Sequence, residues 1–282
     1  MLNIDRGRPP VPPRDAATVV LLREASPSFE VFLVCRHAKS GFMAGAHVFP
    51  GGKLDEADAS DRLRARVDGR SAGDAASALG EDDPERAVAL FVAAVRETFE
   101  EAGVLLADVS PGTDLDAARA RLASGASFAD VVESVDARLR LDHLVPLARW
   151  VTPEVEQRRF DARFFLALAP TDQIARHDEH ETTSHVWIAP RAALEAAASG
   201  RIQLPPPTLR NLELLANFAR ADDALAHARA HPPPLVRPVF MDKDGLWILT
   251  LPGDPEHFER ERVIDGPTRF VLVDGTWLSR DP

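Results

Sequence analysis

The chain has 282 residues, 45% of them hydrophobic, and a formal net charge of −11. That length and apolar content suffice for one large domain, or a domain with an annex, around a real core. The acidic balance argues against a nucleic-acid surface or an anionic membrane as partner, and the single cysteine, Cys35, leaves no internal disulfide and suits a reducing cytosol.

Residues 1–15 are polar and rich in Pro and Arg, with no apolar signal core, and read as a flexible arm. Residues 16–22 and 29–35 predict two strands, joined as a hairpin by the polar turn 24–28. Residues 36–46 form a loop, and residues 47–49 a short extended piece that enters Pro50-Gly51-Gly52. The glycines let the backbone turn tightly and approach a ligand. Residues 59–82 are charged and rich in Ala, Gly, Asp and Arg, and are expected to be a mobile, loosely structured excursion. A helix is predicted from Asp83 to Ala102, then helices over 114–124 and 127–140, strands over 144–151 and 163–169, and a short strand at Trp187-Ile188. A helix opens at Pro190, another is capped by Thr208 after a break at Pro205-Pro206-Pro207, and residues 222–230 are helical. From Val236 the pattern is β, with hairpin turns at Asp242-Lys243-Asp244-Gly245 and Asp274-Gly275. The organisation expected is an arm (1–15), a main domain (16–220) with insertions at about 59–82 and 114–140, and a β-rich C-terminal annex (234–282). No stretch of about 18 apolar residues occurs, so no membrane span is expected and the location expected is cytoplasmic. Arg- and Ala-rich usage with few lysines suggests a GC-rich bacterial genome.

The predicted helix 83–102 organises the rest. Asp83 can cap it, Pro84 suits its first turn and Gly103 its end. Val88, Phe91, Val92, Val95 and Phe99 make one apolar face. With Val95 as origin and about 100° per residue, Glu100, Glu97 and Glu101 fall at roughly 140°, 200° and 240°. Three carboxylates on one patch repel each other, and a solvated acidic face would gain nothing from them. A hard divalent cation, Mg²⁺ or Mn²⁺, would neutralise the patch through oxygen ligands.

Phe49-Pro50-Gly51-Gly52-Lys53-Leu54-Asp55, then Asp58, and Arg96-Glu97-Thr98-Phe99-Glu100-Glu101-Ala102-Gly103-Val104 together resemble the Nudix box, G-x5-E-x7-R-E-U-x-E-E-x-G-U, with U a bulky apolar residue. Asp58 stands where Glu is usual and Thr98 replaces an apolar residue. The spacing also departs: 37 residues separate Asp58 from Arg96 where the motif has seven. Residues 42–52, 149–153 and 159–165 are similar to one Nudix branch in particular. That branch includes the peroxisomal acyl-coenzyme A diphosphatase with an insert inside the box. The resemblance covers roughly residues 16–220 and implies an α/β fold, the Nudix α/β/α sandwich with a mixed sheet. It also implies hydrolysis of a phosphoanhydride in a nucleoside-diphosphate-X. For coenzyme A the products would be 3′,5′-ADP and an (acyl-)phosphopantetheine. Of the coenzyme A signature before the box the chain keeps Arg36 and Gly45 but not the rest.

On this resemblance Glu97, Glu101 and Glu100 are candidate metal ligands, with the Gly52 carbonyl a fourth. Glu97, Glu100 or Glu181 is a candidate base; Glu181 lies in the loop before Trp187, where many Nudix enzymes place a further acidic residue. Ligand and base are not separable from sequence. Arg96 and Asp58 are expected to orient the carboxylates. Arg36, Phe42 and His47 are candidate substrate-binding residues: Arg36 for a phosphate, Phe42 for stacking, His47 by orienting the loop. Trp150 reads as core before stacking platform. His177, His180 and His185 read as a polar loop rather than a zinc site. The two helices within 114–140 are expected to wall the substrate pocket and set the leaving group.

Two other readings compete. One is an ADP-ribose or dinucleotide pyrophosphatase; the absence of tyrosine and of a proline about 15 residues beyond Val104 weighs against it. The other is a non-catalytic nucleotide-sensing module, which the intact set of glutamates disfavours. A nucleotide-containing small molecule is the expected partner, and a homodimer stays open.

Overall fold

The computed structural model describes residues 9–37, 44–178 and 181–282. β1 (Arg14–Arg23) and β2 (Glu30–Arg36) make the expected hairpin, with Leu22 opposite Val31. β3 (His47–Val48) then pairs with β2, and β4 (Gly51–Lys53) pairs with the start of β1. Ala17, Val19 and Leu21 of β1 feed one core, Val20 and Leu22 the other, so this strand is buried on both faces.

The stretch expected to be mobile is ordered. A 3-10 turn at Glu56–Ala59, α1 (Asp61–Arg64), β5 (Val67–Asp68) and α2 (Ala72–Leu79) follow one another. Leu63, Ala75, Ala76 and Leu79 are buried in the first core. The expectation fails because the burying residues are small: alanines at helical spacing close-pack on a neighbouring helix without large side chains.

That neighbour is α3 (Pro84–Ala102). Asp83 caps it by accepting from the Glu85 and Arg86 N–H groups, Pro84 opens it, and Gly103 ends it at φ 70°. The two-faced helix expected from the sequence is instead buried all round from Ala87 to Phe99. One side meets the main sheet, the other the insert. Thr98 fits at a fully buried position because its hydroxyl donates to the Ala94 carbonyl at 2.7 Å.

β6 (Ala107–Asp108), α4 (Leu115–Ala123), α5 (Phe128–Ser134) and β7 (Arg138–Arg140) come next. The helix expected over 127–140 ends at Ser134 because Asp136 turns the chain at φ 48°, and Leu139 lies in a strand. β7 pairs with both β6 and β5, so the two insertions meet in one small sheet. Arg62 of α1 reaches Asp130 and Glu133 of α5.

β8 (Val145–Val151), β9 (Phe160–Leu168) and β10 (Thr182–Ile188) complete the middle of the fold. α6 (Pro190–Ala198), α7 (Pro206–Leu215) and α8 (Ala221–Ala230) follow. Pro206 and Pro207 sit in the first turn of α7 instead of breaking the chain, since a missing N–H costs nothing there, and Thr208 lies inside the helix. β11 (Leu235–Val236) returns to the main sheet, parallel to β8. The annex is the antiparallel sheet of β12 (Val239–Lys243), β13 (Leu246–Thr250), β14 (Arg269–Val273) and β15 (Thr276–Arg280). Asp244 and Gly245, and Asp274 and Gly275, all have the positive φ that the two hairpin turns require.

Among the described residues the main sheet is mixed, in the order β10-β2-β1-β9-β8-β11, with β3 and β4 attached at its side. β1 and β9 run parallel; the other long pairings are antiparallel. α3 and the insertions cover one face. α6, α7, α8 and residues Leu249, Leu251 and Phe270 of the annex cover the other. This is an α/β sandwich with helical insertions and a β-rich annex. Among the described residues no helix is long and apolar enough to cross a membrane.

Candidate active site

The Gly51-Gly52 turn lies directly over the last turns of α3. A Cβ on Gly51 would come within 2.4 Å of the Ala17 carbonyl, and one on Gly52 within 2.6 Å of the Glu97 carboxyl. Glycine is needed at both positions because backbone and carboxylate occupy the space of a side chain. The Gly51 N–H donates to Glu101 Oε2 at 2.9 Å.

Arg96 ties the cluster. Its Nε and Nη2 donate to the two oxygens of Asp58 at 2.7 and 2.8 Å, a bidentate pair in which the Asp58 side chain is 1% exposed. Its Nη1 donates to Glu97 at 2.8 Å and to Glu100 at 3.3 Å, and Nη2 also to the Lys53 carbonyl at 3.0 Å. Asp58 is held in turn by the Asp55 N–H at 2.8 Å. Arg96 thus pairs with Asp58 and Glu100 at once.

One guanidinium faces three carboxyls, with Glu101 beside them on the Gly51 N–H, and the electrostatics show it. Burial pushes Glu97 up to about 7; Arg96 opposes the shift and Glu100 adds to it. Burial, and then the charge of Glu97, push Glu101 up to about 8 against the pull of the Gly51 N–H and Arg36. Glu100 is also raised, by burial first. Among the described residues no three carboxyl or imidazole groups already converge as a set of metal ligands. The carboxyls rest on Arg96 and Gly51 instead. The donors nevertheless suit a hard cation: acidic oxygens, undercompensated in charge, beside a glycine that leaves the backbone open.

Arg36, at the end of β2, lines the cleft beside them, with its Nε buried and without a protein partner. Glu181 lines it too, its N–H held by Asp178 at 3.0 Å and its carbonyl by the His37 N–H at 2.9 Å. His47 is not among the residues that line the cleft. Its N–H donates to the Gln203 carbonyl, and burial pulls its imidazole down. It thus braces the loop through its main chain. Phe42 and His180 lie outside the described residues. His177 and His185 pair with each other, Nδ1 to Nδ1 at 2.7 Å.

The cleft has a volume of about 1170 Å³. Ala16, Ala162 and Trp150 form one cross-strand row of its floor, and Thr18 and Phe164 the next. Its far walls are Val11–Arg14, the turn Thr152–Phe160, Pro205–Thr208 and, from the annex, Pro238 and Leu249. Arg159 fixes two of these walls by donating to the Thr152 and Val11 carbonyls at 3.0 and 2.8 Å. Residues 11–14, read from sequence as part of a flexible arm, are therefore cleft wall, and the start of β1 is ordered. Residues 114–140 contribute nothing to the cleft. They were expected to wall it, but their apolar faces are consumed by α3 and the first insertion. The Pro-rich segments carried the missing signal: Pro12-Pro13 and Pro205–Pro207 converge here with Pro238.

Known proteins place this arrangement. A family model described as the NUDT19 Nudix domain matches residues 72–215. The acyl-coenzyme A diphosphatase NUDT19 of Homo sapiens is 30% identical over 82% of this chain and 73% of its own length. The Xenopus laevis protein of the same name is 29% identical over 80% and 70%. These relatives are animal proteins and lend no support to a bacterial origin. A solved Nudix hydrolase from Alicyclobacillus acidocaldarius is 29% identical, with a TM-score of 0.65 over 77% of this chain and 96% of that one. Nudix hydrolases use divalent metal ions as a group. With the box assembled in space and the family model spanning half of its length, the chain belongs to the Nudix hydrolases, in the NUDT19 branch, as a pyrophosphohydrolase.

Proposed function

We propose that the protein hydrolyses the pyrophosphate linkage of coenzyme A or an acyl-coenzyme A, releasing 3′,5′-ADP and an (acyl-)phosphopantetheine, with Mg²⁺ or Mn²⁺. The observation that carries this reading is the cleft that runs from the buried glutamates to the annex, far larger than a pyrophosphate requires. The relatives named acyl-coenzyme A diphosphatases supply the substrate class.

Glu97, Glu101 and Glu100, with the Gly52 carbonyl, are the groups that would hold the metal. A bound divalent cation neutralises charge on the phosphoryl oxygens and lowers the pKa of water. Arg96, fixed by Asp58, keeps Glu97 and Glu100 in place. Arg36 contacts a substrate phosphate, its second role being to offset the charge on Glu101. Glu181, exposed at the cleft, takes the proton of the attacking water on a carboxylate oxygen while water adds in line to phosphorus. The bridging oxygen leaves with one product phosphate.

The test is turnover of coenzyme A, acyl-coenzyme A, ADP-ribose, NADH and dinucleotides with Mg²⁺ or Mn²⁺, products identified by mass. Coenzyme A compounds should lead, and exhaustive chelation should abolish the reaction. Preference for ADP-ribose or a dinucleotide overturns the substrate class, and undiminished turnover in chelator overturns the metal.

A further inference from the structure

α4 and α5 do not reach the cleft, yet one residue of α4 grips the helix that carries the glutamates. Arg119 donates from Nε and Nη2 to the Glu100 carbonyl at 3.0 and 2.6 Å. That carbonyl belongs to the last turn of α3, where main-chain oxygens have no partner within the helix and the dipole is negative. This turn has no basic residue of its own and carries Glu100 and Glu101 at the electrostatically unfavourable end. Gly103 makes room for the grip: a Cβ there would come within 2.8 Å of Arg119 Nη1.

The same helix end holds the segment that bears Glu181. Arg176 donates its N–H to the Ala102 carbonyl at 2.8 Å. Asp178 then accepts from the Glu181 and Thr182 N–H groups, each at 3.0 Å. Asp178 and Asp116, and after them Glu101, act on the charge of Arg119. One guanidinium therefore sits where the helical insertion, the end of α3 and the Glu181 segment come together.

We propose that Arg119 is a positioning residue for the glutamates of the box: by holding the Glu100 carbonyl it fixes the last turn of α3, and so sets how tightly a divalent cation is bound. This rests on the metal site of the proposed function. It also gives the helical insertion a task on the metal side of the enzyme, away from the substrate's leaving group.

The test titrates the full chain with Mn²⁺ in the absence of substrate, reading free ion by electron paramagnetic resonance. kcat at saturating Mn²⁺ and Tm in chelator are measured beside it. Arg119→Gln is expected to raise the Mn²⁺ Kd about tenfold or more, the scale for losing a group that orients a ligand, while kcat at saturating Mn²⁺ stays near the parent's. Arg119→Lys, which keeps the charge and a donor, should recover part of the affinity. Arg121→Gln, exposed on the same helix, should change none of the three readings. An unmoved Kd in Arg119→Gln with a lowered Tm makes Arg119 plain support and overturns the proposal. Should that variant fail to fold, Arg119→Lys decides: a raised Kd supports the proposal and a parental Kd overturns it. A parent protein that binds no Mn²⁺ brings down the metal site, and this proposal with it. A parent that binds Mn²⁺ beside an unmoved Arg119→Gln brings down the proposal alone.

Discussion

α3 carries a charged cluster at each end, and the two are built on opposite rules. Near its start, Arg86 joins Arg149 and Arg163 against Asp15, Asp161 and Glu81. Three cations meet three anions. Arg86 is bidentate on Asp15 at 2.7 and 2.8 Å, Arg149 on Asp161 at 2.6 and 2.8 Å, and Arg163, 2% exposed, binds Asp15, Glu81 and the Asp161 carbonyl. Burial pushes Asp15 up, but the hydrogen bonds and charge of Arg86 and Arg163 outweigh it and hold the carboxyl below its usual range. At the other end, Arg96 faces Asp58, Glu97 and Glu100, Glu101 has only the Gly51 N–H and the charge of Arg36, and the glutamates are driven upward. A neutral lattice fastens strands, helix and insert. An acidic surplus of similar burial leaves a demand for outside positive charge, which marks a binding site rather than a joint.

Breaking the balanced end should cost folding and spare chemistry. Arg163→Ala leaves the buried Glu81 without its closest partner and Asp15 without one of its two, and stability should fall by about 3–5 kcal/mol in chemical denaturation. The kcat of the fraction still folded should match the parent's. A mild effect would mean that Arg86 and Arg149 suffice.

Breaking the surplus should do the reverse. Glu101→Gln or Glu97→Gln is expected to lower kcat by about 10²–10³, the scale of losing one electrostatic stabiliser. Tm in chelator should hold or rise, because a buried repulsion is relieved. A near-normal rate would show that the box is vestigial.

The smallest effect sharpens the contrast through pH. Glu97 and Glu101 keep protons to about 7 and about 8 in the fold, whereas the unfolded chain releases them near the ordinary glutamate value of 4.5. The native state then binds more protons than the unfolded state, so stability falls as pH rises. Tm in chelator should decline as pH rises from about 5 to about 8 and level off above that, and Mg²⁺ or Mn²⁺ should remove the decline. Asp15 has the opposite sign: its contribution is present above the ordinary aspartate value of 3.8 and is lost only in acid. A Tm in chelator that stays flat from about pH 5 to about 8 would refute the surplus.

Sequence made α3 legible because its signals are local. Asp83, Pro84 and Gly103 fix its ends, and a rigid period of 3.6 residues places the glutamates together. The hairpin turns of the annex, Asp244-Gly245 and Asp274-Gly275, were legible for the same reason. What stayed hidden was tertiary. Ala75 and Ala76 look like solvent-facing helix filler until α3 is set against them. The cleft walls come from Val11, Arg159, Pro206 and Leu249, four segments with no common period, which only the sheet brings together.

Asp58 and Glu81 stand at the two mouths of the first insertion, and each is clamped to the body: Asp58 to Arg96, Glu81 to Arg163. Between those posts the backbone leaves the body and comes back, and Gly52 still lies against Glu97 as if nothing had been spliced in. A pattern search that demands fixed spacing sees a broken motif; a ligand arriving in the cleft meets an unbroken one. Contiguity in this enzyme belongs to space and not to the chain, which is why a segment of such length can be housed inside the most constrained stretch of the protein without moving its reactive groups.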